Sequence, residues 1–138
     1  MTTPVPDNSV LAHRFAEMLN TGDVELVDGF IAPAYVNHNP FVADGPEANK
    51  AFWRQWLAAF PDTRVTVEDA LAVADTVVGR FTYRATHQGA FLGIQPTGRP
   101  VEMRSIDIWR VADGRFVEHW DELNMLEFMQ QLGAIPSR

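Results

Sequence analysis

The chain has 138 residues, of which 46% are hydrophobic, 21% charged and 11% aromatic, and it contains no cysteine. These values exclude a disordered chain, a disulfide scaffold, a thiolate metal site and a cysteine nucleophile. The net charge of −7, with Lys50 as the single lysine, argues against nucleic acid as a partner.

The N-terminal part predicts two helices separated by a glycine. Residues 1–7 have neither a basic start nor an apolar run, and no apolar run in the chain is long enough to span a membrane. We therefore expect no signal peptide, no membrane contact and a cytoplasmic protein that forms one domain over residues 1–138. The first helix ends at Gly22, and its apolar stripe is Leu11, Phe15, Met18 and Leu19. A second helix is expected from a cap at Asp23 to Pro33.

A loop over residues 34–45 leads to a third helix, which begins at Pro46 and ends before Pro61. Its wide apolar face must be buried and consists of Phe52, Trp53, Trp56, Leu57 and Phe60.

The second half of the chain predicts strands over residues 65–73, 76–87, 101–111 and 115–123, the last two joined by a turn at Asp113 and Gly114. A short helix follows Asn124. Helices followed by consecutive strands indicate an α+β fold. We expect a cone-shaped, curved antiparallel sheet with three N-terminal helices that close a pocket, and a short C-terminal helix.

Strand alternation selects three polar residues. On strand 101–111 the odd-numbered face carries Met103, Asp107 and Trp109, and Asp107 is its only charge. A carboxylate among apolar neighbours is desolvated, which suits a general acid or base; the alternative is a purely structural Asp. His119 and Asp121 share one face of the next strand, about 6–7 Å apart. That face could instead point to solvent, with Phe116 and Trp120 in the core.

Further candidates come from the other histidines and from aromatic residues. His87 continues the apolar face of its strand, and His38 lies in the loop between helices; each could act on a ligand or be structural. Histidines 38, 87 and 119 lack the close spacing of a metal site, so we expect no metal. The pocket walls are expected to include Phe15, Trp53, Trp56, Tyr83, Met103 and Trp109.

Several short motifs spread over nearly the whole chain resemble those of the SnoaL-like polyketide cyclases, in the nuclear transport factor 2-like superfamily. They comprise residues 35–40 (YVNHNP), 45–47 (GPE), 59–62 (AFPD), 86–89 (THQG), 93–94 (GI), 96–99 (PTGR), 113–115 (DGR), 118–121 (EHWD) and 131–133 (QLG). The resemblance implies an α+β barrel like that of ketosteroid isomerase, commonly in a homo-oligomer.

The resemblance also implies a reaction. In the cyclases of this family an Asp at the position of Asp121 is the general acid/base of an intramolecular aldol ring closure, without cofactor or metal. Their substrate is a polyketide with an acidic C–H beside carbonyls. The cyclases place a histidine where this chain has Asp107, and a protonated Asp107 could still donate a hydrogen bond to an enolate.

Three functions follow as hypotheses. The first is a cofactor-free enzyme that removes a proton next to a carbonyl, in an aldol cyclisation, isomerisation or dehydration. Asp121 would be its acid/base, and the side chains that polarise or position the substrate would be His38, His87, His119 and Asp107. The second is hydrolysis of an epoxide or another bond by a water held between Asp107 and Asp121, which an arginine between the two carboxylates would favour. The third is a non-catalytic binding protein with the same pocket.

The even-numbered faces of the late strands predict a homodimer. They combine apolar residues with charges of both signs, and a self-complementary patch of this kind suits packing of sheet against sheet across a two-fold axis. The apolar members are Ile106, Ile108, Phe116 and Trp120.

Overall fold

The computed structural model describes residues 7–137, so residues 1–6, which belong to the segment without signal-peptide features, lie outside the described part. Within this described part, eight helices and strands follow one another, together with a 3₁₀ helix over Val24–Gly29. Their bounds are α1 Val10–Thr21, β1 Ile31–Asn37, α2 Pro46–Ala59, β2 Arg64–Val73, β3 Thr76–Thr86, β4 Pro100–Ala112, β5 Arg115–Leu123 and α3 Met125–Gln131.

The two long helices form where the apolar periodicity predicts them. Helix α1 ends at Gly22, whose backbone has a φ of 76° and closes the last turn by donating to the Met18 carbonyl. Helix α2 begins at Pro46, which needs no hydrogen-bond partner for its nitrogen at that position. Both helices bury aromatic side chains against the sheet, and Phe15 lies 5.1 Å from Phe81 between ring centroids.

The prediction of a second helix as far as Pro33 is wrong. Residues 24–29 form a short 3₁₀ helix, and strand β1 begins two residues later, in place of the end of that helix and part of the predicted loop. Pro33 lies inside this strand. The sheet tolerates it because β1 is an edge strand, where one side of the backbone needs no ladder partner.

The sheet has five strands in the order β1-β5-β4-β3-β2. Strands β2 to β5 are antiparallel, whereas β1 pairs with β5 in parallel, which brings Asn37 beside His119. The α+β architecture with a curved sheet and helices is confirmed, and the parallel edge strand is the element that the sequence did not indicate.

The odd-numbered side chains of β3 and β4 form the inner face of the sheet, and all those from Val101 to Trp109 are buried. Gly79 lies directly opposite Asp107 on this face. A β-carbon there would lie 2.6 Å from the Phe81 ring and 3.2 Å from the Trp109 ring. The missing side chain therefore lets these two rings close over the middle of β3.

A β-bulge in β5 changes the direction of its side chains. Arg110 pairs with Glu118 but Val111 pairs with Phe116, so Val117 is an extra residue. The bulge turns both Phe116 and His119 inward although their numbers differ in parity. Phe116 is fully buried and stacks on Trp109, with ring centroids 4.3 Å apart. Its predicted place on the outer face is wrong for this reason.

Within residues 7–137, none of the helices is long and apolar enough to cross a membrane.

Candidate functional site

A cavity of about 70 Å³ lies between the inner face of the sheet and helices α1 and α2. Most of the side chains expected at the site line it. These are Phe15, Trp53, Trp56, Tyr83, Met103, Asp107, Trp109, His119 and Asp121. The alternation of β4 and β5 therefore places the three polar candidates in one cavity, while His38 and His87 are absent from its walls.

Asp107 and Asp121 are direct partners on neighbouring strands. Asp107 is not alone among apolar groups, as its strand pattern suggested. The Ser105 hydroxyl donates to Asp107 Oδ1 over 2.6 Å, and His119 Nε2 lies 2.7 Å from Asp107 Oδ2. Both carboxylate oxygens of Asp107 therefore have partners within the protein.

Asn37 fixes the orientation and tautomer of His119. The Asn39 backbone N–H donates to Asn37 Oδ1, which makes this atom an acceptor. His119 Nδ1 lies 2.9 Å from the same oxygen and must therefore be the donor. A single proton then occupies the contact between His119 Nε2 and Asp107, carried by one partner or the other.

Asn39 holds the second carboxylate. Its side-chain oxygen accepts from the Phe41 backbone N–H over 2.7 Å, which turns its Nδ2 toward Asp121. Nδ2 donates to both oxygens of Asp121, over 3.0 and 2.9 Å. Burial raises the pKa of Asp121 above that of an ordinary Asp, and the hydrogen bond from Asn39 opposes this increase.

Two tyrosines keep their protons in this environment. Burial raises the pKa of Tyr83 well above its usual value, and its hydroxyl lies 2.9 Å from Ser105 Oγ, to which it donates because Ser105 donates to Asp107. Burial likewise raises the pKa of Tyr35, which lines the cavity. Asn49 also lines it, and within the described residues its buried Oδ1 accepts no hydrogen bond.

His87 is fully buried at the end of β3, against the ring of Phe60. The Thr97 backbone N–H donates to its Nδ1 over 3.2 Å, so the neutral ring carries its proton on Nε2. This contact joins the two ends of the loop between β3 and β4. The geometry is that of a structural histidine. His87 therefore does not lie beside Asp107 and Asp121, where the sequence predicted it.

His38 points to the outer face of the sheet, in contrast to its expected place at the ligand. Its Nε2 lies 2.8 Å from Glu118 Oε2, and its ring stacks on Trp120 with centroids 4.9 Å apart. Its neighbours Asn37 and Asn39 point into the cavity instead, because alternate residues of an extended segment face opposite sides.

Sequence reasoning missed the polar residues that hold the site: Asn37, Asn39, Asn49 and Ser105. A signal for the first two was present. Tyr35, Asn37 and Asn39 alternate with outward residues, but the alternation has meaning only if this segment is extended, and Pro33 argued against a strand. Ser105 shares the inner face with Asp107 and could have been selected by the same rule.

The cavity also contains the one group of side chains, within residues 7–137, whose spacing could hold a metal ion. Ligand atoms of Asp107, His119 and Asp121 lie within 4.8 Å of one another. His119 Nε2 and Asp107 Oδ2 are separated by only 2.7 Å, the distance of a charge-assisted hydrogen bond. A cation would therefore have to displace the proton between them. Histidines 38, 87 and 119 do not converge.

Comparisons with known proteins agree on one family. The family model for SnoaL-like polyketide cyclase matches residues 9–132. The aklanonic acid methyl ester cyclases DauD of Streptomyces sp. (strain C5) and DnrD of Streptomyces peucetius are each 30% identical over 129 residues, covering 89% of this chain and 80% and 88% of theirs. The structure of TsrD from Streptomyces laurentii is similar with a TM-score of 0.87 and 34% identity, covering 96% of this chain and all of that one.

Proposed function

The chain belongs to the SnoaL-like polyketide cyclase family, and from this premise we propose that it closes a ring in a carbonyl compound by a cofactor-independent intramolecular aldol reaction. The observation that carries the proposal is the partly buried carboxylate of Asp121, which Asn39 holds at the wall of an apolar cavity. A desolvated carboxylate with a raised pKa is a better base than an ordinary Asp and a usable acid once protonated.

The reaction needs one proton to leave and return. The Asp121 carboxylate takes a proton from a carbon beside a carbonyl, and the electron pair of the broken C–H bond passes into an enolate. The enolate carbon attacks a second carbonyl carbon of the same molecule and forms the new C–C bond. The resulting alkoxide takes the proton from Asp121, so substrate and product are isomers and no oxidant or reductant is consumed.

Other side chains of the cavity stabilise the enolate or position the base. The Tyr35 hydroxyl stays protonated and is the candidate donor to the enolate oxygen. Asp107 and His119, with one proton between them, keep the wall beside Asp121 from carrying two uncompensated carboxylates. Asn49 offers an acceptor to a hydroxyl group of the ligand. His87 and His38 take no part.

The test uses aklanonic acid methyl ester, the compound for which the cyclases DauD and DnrD are named. We expect the purified protein to convert aklanonic acid methyl ester to a product of equal mass and different retention time in liquid chromatography with mass detection. Asp121→Asn preserves size but removes the base, and its turnover should fall by about 10²–10⁴-fold. Equal thermal unfolding of the two proteins provides the control, and full turnover by the variant would contradict the role of Asp121.

A second candidate is a non-catalytic binding protein, and one observation favours it. Both oxygens of Asp107 are hydrogen-bonded within the protein, as expected for a structural carboxylate. This candidate predicts binding of the ester without any change of retention time.

The hydrolase hypothesis lacks the arginine that would favour it. Both arginines of β4 have their contacts on the outer side, Arg104 with Glu127 and Arg110 with Trp120, so neither lies between the carboxylates.

We also propose that the protein is a homodimer through the outer face of the sheet. Ile106 and Ile108 are exposed there, with 52% and 37% of their surfaces accessible. Helices α1 and α2 pack on the opposite, inner face. The charges around the two isoleucines already pair within the chain, as Arg80 does with Asp69 and Arg104 with Glu102. The apolar centre rather than the charged rim therefore supports this contact.

A further inference from the structure

A surface groove of about 370 Å³ opens next to the cavity. Its walls come from the loop after β1, from α2 and from the loop between β3 and β4, and they consist of Phe41, Phe52, Gln55, Ala58, Ala90, Phe91 and Leu92. Four of these residues, Phe41, Phe52, Phe91 and Leu92, line the cavity as well. The groove thus shares part of its wall with the cavity that contains Asp121.

The groove has the chemistry of a ligand site. Among residues 7–137, Gln55 is the only polar side chain that lines it, and no charged residue does. Phe41 and Leu92 are each 54% exposed, although large apolar side chains of this kind are usually covered. An uncharged, apolar and preferably planar group would cover both of them.

The loop that carries Leu92 is held firmly against α2. The backbone N–H groups of Gln88 and Gly89 both donate to the Ala59 carbonyl, over 2.9 and 3.0 Å. A β-carbon on Gly89 would lie 2.5 Å from the Ala58 carbonyl oxygen, so only glycine permits this approach. Phe91 and Ile94 exchange two backbone hydrogen bonds, and Leu92 has a φ of 50° between them. The tight turn fixes the Leu92 side chain at the groove.

The inner cavity is small for a polyketide. Pockets that enclose a drug-sized ligand usually have volumes of roughly 300–1,000 Å³, whereas the cavity holds about 70 Å³, room for a handful of water molecules. We propose that the reacting carbonyl end of the substrate enters the cavity, while an uncharged planar apolar part of the same molecule binds in the groove. The identity of the ligand as a cyclase substrate rests on the proposed function; the groove as an apolar subsite does not.

The test measures binding without catalysis. N-phenyl-1-naphthylamine is an uncharged aromatic probe whose fluorescence rises in apolar surroundings, and its dissociation constant can be obtained by titration. We expect wild-type protein to bind it, and Leu92→Ser and Phe41→Ser each to weaken binding about tenfold through lost apolar contact. Leu71→Ser is the matched control, because Leu71 is 61% exposed on β2 and lies outside the groove; it should bind like wild type.

Three results would overturn the proposal: no binding by wild type, equal binding by all four proteins, or equal weakening by Leu71→Ser. The outcome is independent of the Asp121 experiment. If Asp121→Asn retains turnover but Leu92→Ser loses the probe, the proposed reaction fails and the apolar subsite stands. If the probe binds all proteins equally while Asp121→Asn is inactive, the reaction stands and the substrate is confined to the cavity.

Discussion

Burial raises the pKa of Asp121, and Asn39 limits this increase because its side-chain amide donates to both carboxylate oxygens. Donation to the charged form lowers the pKa of Asp121, in opposition to burial, which raises it. A base must be deprotonated to act, so the rate falls as the pH drops through this pKa. Asn39→Ala removes the lowering contribution, and we expect the acid limb of the pH profile of kcat/KM to move to higher pH.

The neighbouring residue supplies the control for this measurement. His38 belongs to the same segment but contacts Glu118 and Trp120 on the outer face. His38→Ala should therefore leave the midpoint of the acid limb where wild type has it. A midpoint that stays fixed in Asn39→Ala, or that moves to lower pH, would contradict the assigned role of Asn39.

At the residue scale, alternation along strands was the reliable guide. It predicted Asp107 on the inner wall because β4 is long and regular. His119 and Asp121 join that wall because the extra residue in β5 shifts the register of the second half of that strand. Alternation was misleading for His87, because a position on an apolar strand face gives no information about the loop that follows the strand. Thr97, ten residues away, decides the role of that histidine. Such a contact is set by loop conformation, which a periodic pattern does not contain.

Strand β3 depends on the absence of a side chain at Gly79. A β-carbon at this position would overlap the Phe81 ring, and both the ring and the strand are held by their neighbours. Gly79→Ala should therefore lower the free energy of unfolding by about 1–3 kcal/mol, the usual effect of overpacking a core. Chemical denaturation monitored by tryptophan fluorescence measures this change.

Gly29 is the matched control for the same substitution. A β-carbon at Gly29 has no neighbour within 4 Å, and its backbone does not require a glycine. Gly29→Ala should leave stability unchanged or raise it slightly, since alanine reduces the freedom of the unfolded chain. Equal stability of the Gly79 and Gly29 variants would show that the rings above β3 move aside freely.

At the element scale, amphipathic helices and long antiparallel strands were predicted and the edge of the sheet was not. Helices α1 and α2 and strands β2 to β5 each have a periodic pattern over nine residues or more, as their ranges show. Strand β1 has seven residues, contains Pro33 and pairs in parallel with a strand from the far end of the chain. Its conformation depends on β5, so local sequence could not indicate it.

At the scale of the whole molecule, the outer face of the sheet carries two exposed isoleucines, Ile106 and Ile108. If this face joins two copies, the contact should bury about 1,500 Å² or more in total. The double variant Ile106→Glu with Ile108→Glu would place four charges in the interface of the dimer, and sedimentation velocity should show a monomer. Val10→Glu with Leu26→Glu, two substitutions at exposed apolar residues of α1 and the 3₁₀ helix, should remain dimeric. Wild-type protein that sediments as a monomer at micromolar concentration would disprove the contact.

The extra residue in β5 limits which mutations this chain can accept during evolution. Phe116 lies before Val117 and belongs to the hydrophobic core, whereas His119 and Asp121 lie after it and belong to the cavity. Replacing Val117 by another residue changes neither side. Deleting it would shift one half of the strand by a single step, and either Phe116 or the cavity residues His119 and Asp121 would turn outward. Evolution can therefore substitute Val117, but it cannot delete this residue without loss of the core or of the cavity.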